Sequence, residues 1–368
     1  MKWFAYADQK ISGKEIMITV PSMLIGGDML TLPHALAKAT TGSDGWIPIV
    51  IGGILTILVA WMVTKLATSF PNQPFITYAS AIITKPIAIV LTCLLGVVGL
   101  LIAAYVTRNL ANTAKDYLFD QTPVEMIALT FLLVVVYAVA SARIGLFRLN
   151  MLFFPFVLFI GLAVVFFSLQ WFKLEDLLPV FQTSPRDYIK GTTTVLTSYV
   201  GIGILLFYLA FVEQPKKATK KVVLGTCIPI VAYIVIFIAC LGVFGHAGTA
   251  NLLNPTLELA RRAELPGAVF ERMEIVFYVV WMMAIFNTAA MAFDIAVLAL
   301  QSIFKKAKKV KIIFVLSPLA YVICMLPQNY NELAQFGEFV SYASMISTVL
   351  VTVLLLVIAK LRGVKHGG

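Results

Sequence analysis

The 368-residue sequence predicts an all-α integral membrane protein. Ten transmembrane helices are set out as two five-helix repeats of opposite orientation, with the first and sixth helices broken. Three observations lead there. Hydrophobic residues make up 60% of the chain and charged residues 12%, with a mean hydropathy of +0.94; a soluble globule keeps about a quarter of its residues charged. The charges gather in short clusters between apolar runs of about 20 residues, long enough to cross ~30 Å of hydrocarbon. Two of those runs, at corresponding places in the two halves, carry glycines near mid-length.

Taken in order, the spans fall at 13–38, 46–68, 86–110, 123–141, 149–170, 188–213, 221–245, 270–302, 311–327 and 334–360. The first five make one repeat (1–170) and the last five the other (188–362). Between the repeats runs an amphipathic external connector, "WFKLEDLLPVFQTSPRD" (171–187), and a cytoplasmic tail (363–368) follows. An odd number of spans per repeat makes the second repeat enter the membrane inverted. The stretch 72–86 is too polar and broken to cross and reads as a short helix at the inner surface. The stretch 246–265 alternates polar and apolar positions, as a segment packed across an outer vestibule would. The opening "MKWFAYADQKISGKE" lacks a small-residue cleavage site after an apolar core, so the first span is expected to remain in the mature protein.

Most of the 28 Lys and Arg lie at span ends expected to be cytoplasmic, including "KKATKK" (216–221) and "KKAKKVK" (305–311). That positive-inside bias puts both termini in the cytoplasm. The net charge of +10 is therefore membrane-edge charge, and without interleaved aromatics it does not describe a nucleic-acid surface. The four cysteines fall inside spans without CxxC spacing and read as small buried apolar residues. No Walker motif, HExxH or GxSxG occurs, so no enzyme, cofactor or metal centre is expected.

The first interruption is "MLIGGDMLTLPHALAKA", with Gly26, Gly27 and Asp28 in mid-span; the sixth span reads "TTTVLTSYVGIGILLFYLAF", with Gly201 and Gly203. Glycine also serves close helix packing, and that reading stays open for either break alone. Unwound backbone in a bilayer leaves polar groups without partners unless something polar fills the gap, which makes a break a binding site. Half-helix N-termini suit a carboxylate and half-helix C-termini an ammonium, so two broken helices match a zwitterionic amino acid. The expected N–H donors are Gly26, Gly27, Asp28 and Met29. The expected carbonyls are those of Ile25, Ser198, Tyr199, Val200 and Gly201. Facing them, Val98, Leu101 and Tyr105 share one face of the third span at i, i+3, i+7, and Asn287, Thr288 and Met291 lie mid-way along the eighth. A mid-membrane carboxylate such as Asp28 is costly and points to function. His34, nearly two turns further out, is expected near the outer surface in solvent.

The residues also carry a resemblance. "GGDMLTLP" resembles the Gly-x-Gly-x-x-x-x-Pro break in the first helix of the amino acid–polyamine–organocation (APC) transporter superfamily. "MLTLP", "QPKKATKKVVLG" (214–225) and "ERMEIVFYVVW" (271–281) resemble the spore-germination permeases, the B subunits of nutrient germinant receptors in endospore-forming bacteria. The resemblance implies a LeuT-like five-plus-five fold and an amino-acid-like ligand between helices 1, 3, 6 and 8. It also implies a membrane-anchored A subunit and a lipoprotein C subunit as partners, and the spore inner membrane as location.

Relatives usually carry a small residue where Asp28 stands, commonly an Arg where His34 stands, and often a Glu where Gly203 stands. An acidic group moved from the sixth break to the first is the corresponding expectation, with Gly203 part of the same site. The fifth span contains no lysine or acid. The function expected is a ligand-sensing receptor subunit that signals to partner chains. The other reading is an ion-coupled amino acid transporter; a channel subunit has no ring of charged side chains to support it.

Overall fold

In the computed structural model, residues 10–199, 201–263 and 273–363 are described. They form helices α1 (Gly13–Asp28), α2 (Leu32–Ala39), α3 (Trp46–Thr68), α4 (Phe75–Ile82), α5 (Lys85–Tyr117), α6 (Val124–Ala140) and α7 (Arg143–Ser168). After a connector come α8 (Pro185–Ser198), α9 (Ile202–Phe211), α10 (Pro215–Asn251), α11 (Pro255–Arg262), α12 (Met273–Ile303), α13 (Lys309–Met325) and α14 (Tyr330–Leu361). Among the described residues the one β-type pairing is an isolated bridge between Ile11 and Val212.

Among the described residues, six helices are long and apolar enough to cross a membrane. Counting each bent pair as one span gives eight: α1 with α2 at 65°, and α8 with α9 at 43°. Helices α6 and α13, on which two further predicted spans fall, have 17 residues each. The stretch 72–86 contains the short α4. Helix α10 passes through Gly245, whose φ of 69° kinks it where the seventh predicted span ends, and α11 follows.

Helices α5 and α12 pack together at the centre, and α1 lies against both α10 and α12. Small residues set the spacing. A Cβ on Gly99 would stand 2.7 Å from the Ala292 carbonyl oxygen, and one on Gly96 would stand 2.7 Å from Ala299 Cβ. Such faces let membrane helices approach closely enough for van der Waals packing to hold them, since lipid offers no hydrophobic drive between them. The outward face is the reverse. On α7, Leu152, Phe156, Phe159, Leu162 and Phe166 recur at helical spacing, with Phe159 at 71% exposed. An apolar stripe of that size belongs in lipid.

Local signals fix the ends. Ser12 and Glu15 form a capping box at α1, with Ser12 N–H donating to Glu15 Oε2 at 2.7 Å and Glu15 N–H to Ser12 Oγ at 3.2 Å. Just upstream, Ile11 N–H donates to the Phe211 carbonyl at 2.8 Å, and Glu213 N–H to the Ile11 carbonyl at 3.0 Å. The two broken helices are thereby joined at one end.

The connector 171–187 is held by Asp44, which is fully buried between α2 and α3. Its carboxylate accepts from the backbone N–H of Phe181 (2.5 Å), Gln182 (2.8 Å) and Thr183 (2.9 Å) and from the Tyr188 hydroxyl (3.1 Å). Burial alone would raise the Asp44 pKa. The donors, led by Thr183 and Phe181, outweigh it and hold the carboxyl below its usual 3.8.

Candidate functional site

The first break lies at Met29–Thr31, beginning two residues beyond Gly27. Helix α1 runs unbroken through Gly26 and Gly27, and Pro33 in the first turn of α2 marks where the chain restarts. This corrects the polarity expected of the segment. Residues 25–28 end a half-helix, so they present carbonyls rather than N–H donors; the unpaired N–H groups belong to the start of α2. The second break follows Ser198, with Gly201 left-handed at φ 110° before α9 begins. Val200, expected among the carbonyl donors, lies outside the described residues.

Two helix C-termini therefore meet, that of α1 at Asp28 and that of α8 at Ser198. The Ser198 hydroxyl donates to the Thr194 carbonyl at 3.1 Å, and Ser198 and Asp28 line the same small cavity. Each C-terminus carries about half a negative charge, and a carboxylate stands between them. Gly27, Asp28, Tyr105, Ser198 and Thr288 line one cavity of about 20 Å³, with Met23, Ile102 and Ser341 among the remaining walls. That is room for about one water molecule. Among the described residues nothing lies within 4 Å of a Cβ built on Gly27, which lines this space.

The break is braced from other helices. Tyr233 Oη donates to the Leu24 carbonyl at 2.8 Å, and Thr256 Oγ1 to the Met29 carbonyl at 2.7 Å. Ile25 and Gly26 are buried, with Gly26 pressed against α12. Asn287 donates to Ser22 Oγ at 3.1 Å, and the Thr288 hydroxyl is shared between the carbonyls of Met23 (3.4 Å) and Ala284 (3.2 Å).

The other candidates separate. Val98, Gly201 and Gly203 line a second cavity of about 20 Å³, which shares Ile102 with the first. Tyr199 and Gly201 line a third of about 40 Å³, and the buried Tyr199 hydroxyl has no hydrogen-bond partner among the described residues. On α5 the residues facing the cavities are Leu95, Val98, Gly99, Ile102, Tyr105 and Val106; Leu101 lines none of them. Met291 is fully buried, with its sulfur 3.4 Å from Asn150 Nδ2 and its carbonyl accepting from Tyr208, and it lines none of the three. His34 is half-buried beside Thr249, Ala250 and Leu252 rather than free in solvent.

Two features were not anticipated. Helix α14 contributes Ser341, Ser344 and Thr348 to the cavities. Hydroxyls recurring at helical spacing inside an apolar span, with Ser347 and Thr352 in the same run, were the available signal. Further along, Arg143 at the start of α7 pairs with the fully buried Asp294 of α12 at 2.7 Å, and Tyr208 of α9 donates to the same carboxylate at 3.1 Å.

A sequence profile described as "Spore germination protein" matches residues 10–333. The chain belongs to the spore germination protein family. Spore germination protein GerLB of Bacillus cereus is 34% identical over 370 residues, covering 100% of this chain and 99% of that one. Spore germination protein YndE of Bacillus subtilis (strain 168) is 29% identical over 353 residues, covering 96% and 97%. Of solved structures, MhsT in complex with L-phenylalanine superposes with a TM-score of 0.70 at 15% identity, covering 95% of this chain and 89% of that one. MHP1, a nucleobase-cation-symport-1 family transporter, gives 0.62 at 14% identity, covering 97% and 94%. At such identities the likeness speaks for the fold, which is that of the LeuT-like transporters. This germination family is permease-like and not a family of enzymes, and the chain is a multi-pass membrane protein.

Proposed function

We propose that this germination protein is the B subunit of a nutrient germinant receptor and binds a small amino acid between its broken helices. The observation that carries the reading is the meeting of the α1 and α8 C-termini around Asp28 and Ser198. A carboxylate flanked by two negative helix ends is an ammonium site by simple electrostatics. The N–H groups opening α2 and α9, facing away from those ends, would take the ligand's carboxylate. Gly27, Tyr105, Thr288 and Ser341 would meet its side chain. The second and third cavities, with Val98, Gly203 and Tyr199, are the room into which a larger ligand would extend. MhsT, whose fold is shared, was solved with an amino acid bound.

A cavity of about 20 Å³ does not hold an amino acid, so binding requires helices to separate. A ligand preferring the separated arrangement shifts the population toward it. In this reading the two repeats, 1–170 and 188–362, move about the connector 171–187, and an A subunit and a lipoprotein C subunit receive the change. The setting is the spore inner membrane, with both chain termini cytoplasmic.

An ion-coupled amino acid transporter is the second reading, favoured by the two solved transporters of this fold. Radiolabelled amino-acid binding and uptake in proteoliposomes of the purified chain separate the two. Saturable binding without accumulation supports the receptor. Concentrative uptake supports the transporter, and neither binding nor uptake of any amino acid removes both.

A further inference from the structure

A further concavity lies away from the broken helices. An open cleft of about 970 Å³ is bounded by α4, the start of α5 and the turn between α12 and α13. Five lysines line it: Lys85, Lys305, Lys306, Lys308 and Lys311. Among the described residues no carboxylate lies in its lining, and none of the five is in an ion pair. Five like charges around one space repel one another, and a bound anion relieves that.

The cleft's other walls are of two kinds. Thr77 and Ser80 supply hydroxyls on the α4 side, while Ile76, Ile89 and Ile303 supply apolar surface. Phe304, in the same lining, is 59% exposed, and Ile87, in the first turn of α5, is 49% exposed. The cleft is also fixed in place at one end of the bundle. Lys309 Nζ donates to the Ser141 carbonyl at 2.9 Å, and Arg362 Nη1 to the Ile83 carbonyl at 3.1 Å. Cationic groups that open onto an apolar slope at a bundle end match a phosphate attached to hydrocarbon chains, more closely than a free soluble anion.

We infer that this cleft is a binding site for the phosphate head group of an anionic phospholipid. The lysines neutralise the phosphate, the hydroxyls hydrogen-bond it, and the acyl chains descend along the isoleucine wall. The inference stands independently of the amino-acid site.

The test is native mass spectrometry of the full chain, purified in detergent and titrated with dioleoyl phosphatidylglycerol or phosphatidylcholine. The chain is expected to retain phosphatidylglycerol selectively and to melt at a higher temperature with it. A K305Q/K306Q/K308Q variant should bind it about a hundredfold more weakly, at about fivefold per lysine. A K216Q/K217Q/K220Q variant, which removes as much charge from the exposed start of α10, should bind as the wild type does. Equal losses in the two variants, or equal retention of the two lipids, would overturn the proposal. Glycerol phosphate and inorganic phosphate are the soluble arms, and either binding as tightly as the lipid would overturn the lipid assignment. If the cleft variant does not fold, the wild-type melting shift decides: phosphatidylglycerol must raise it and phosphatidylcholine must not.

Discussion

Thr288 fills the space that a side chain on residue 26 would need. A Cβ on Gly26 would run into Thr288 Oγ1 and come within 2.9 Å of the Ala284 carbonyl oxygen. Gly26 therefore serves the contact between α1 and α12 rather than the break. Gly26→Ala is expected to lower stability by about 1–3 kcal/mol, the range for overpacking a close-packed contact. Thermal melting in detergent measures it. Adding Thr288→Ala should restore part of the loss, because the Ala284 carbonyl remains in the way. An unshifted single variant would show that the helices separate freely here.

Asp294 is fully buried and holds Arg143 and Tyr208 together. Removing the carboxylate takes a 2.7 Å ion pair from Arg143 and an acceptor from Tyr208, so Asp294→Ala is expected to cost about 3 kcal/mol. Tyr208→Phe, which removes a hydroxyl shared between Asp294 (3.1 Å) and the Met291 carbonyl (3.2 Å), should cost about 1 kcal/mol. Similar melting temperatures for the two variants would contradict this ordering.

Asp44 links stability to pH. A carboxyl whose folded pKa lies below its unfolded value stabilises the protein fully above the unfolded pKa, here 3.8, and loses that contribution as pH falls through the folded value. Melting temperatures recorded from neutral pH downward should therefore drop below about pH 4. Asp44→Asn should be less stable than the wild type at neutral pH and should show a shallower acid decline. A variant with an identical acid profile would assign the decline to other carboxyls.

Much of this was legible in the sequence. Apolar runs located the helices, because crossing lipid demands length and hydrophobicity that no soluble segment shares. The broken first helix was visible, but its break was misplaced because glycine marks close packing as well as unwinding. Pro33 was the sharper signal, since proline fits the first turn of a helix and resists continuation of one. On α5 the i, i+3, i+7 spacing points to Leu101, whereas Ile102 faces the cavities. A helix apolar all round does not reveal by periodicity which face meets its neighbours. The donors around Asp44, the partners of Asp294 and the lysine cleft join residues far apart in the chain, and only the packed structure brings them together.

Gly201 offers a check on the second break. Its φ of 110° is a conformation other residues rarely adopt, and a Cβ there would stand 2.7 Å from Met23 Cε. Gly201→Ala is expected to cost about 1–3 kcal/mol in stability and to weaken ligand binding. The paired readouts are melting temperature and radioligand affinity. Wild-type values for both would mean the break tolerates an ordinary residue.

The most direct measurement is the thermal shift of the purified chain with the common L-amino acids, in the wild type and in Asp28→Asn. A ligand of the folded state at about 100 times its Kd stabilises by about 2.7 kcal/mol. The wild type is predicted to show a saturable shift with at least one amino acid. Asp28→Asn should need about thirtyfold more of it, corresponding to loss of a charge-assisted hydrogen bond of about 2 kcal/mol. Equal affinity in the two proteins would contradict an ammonium site built on Asp28.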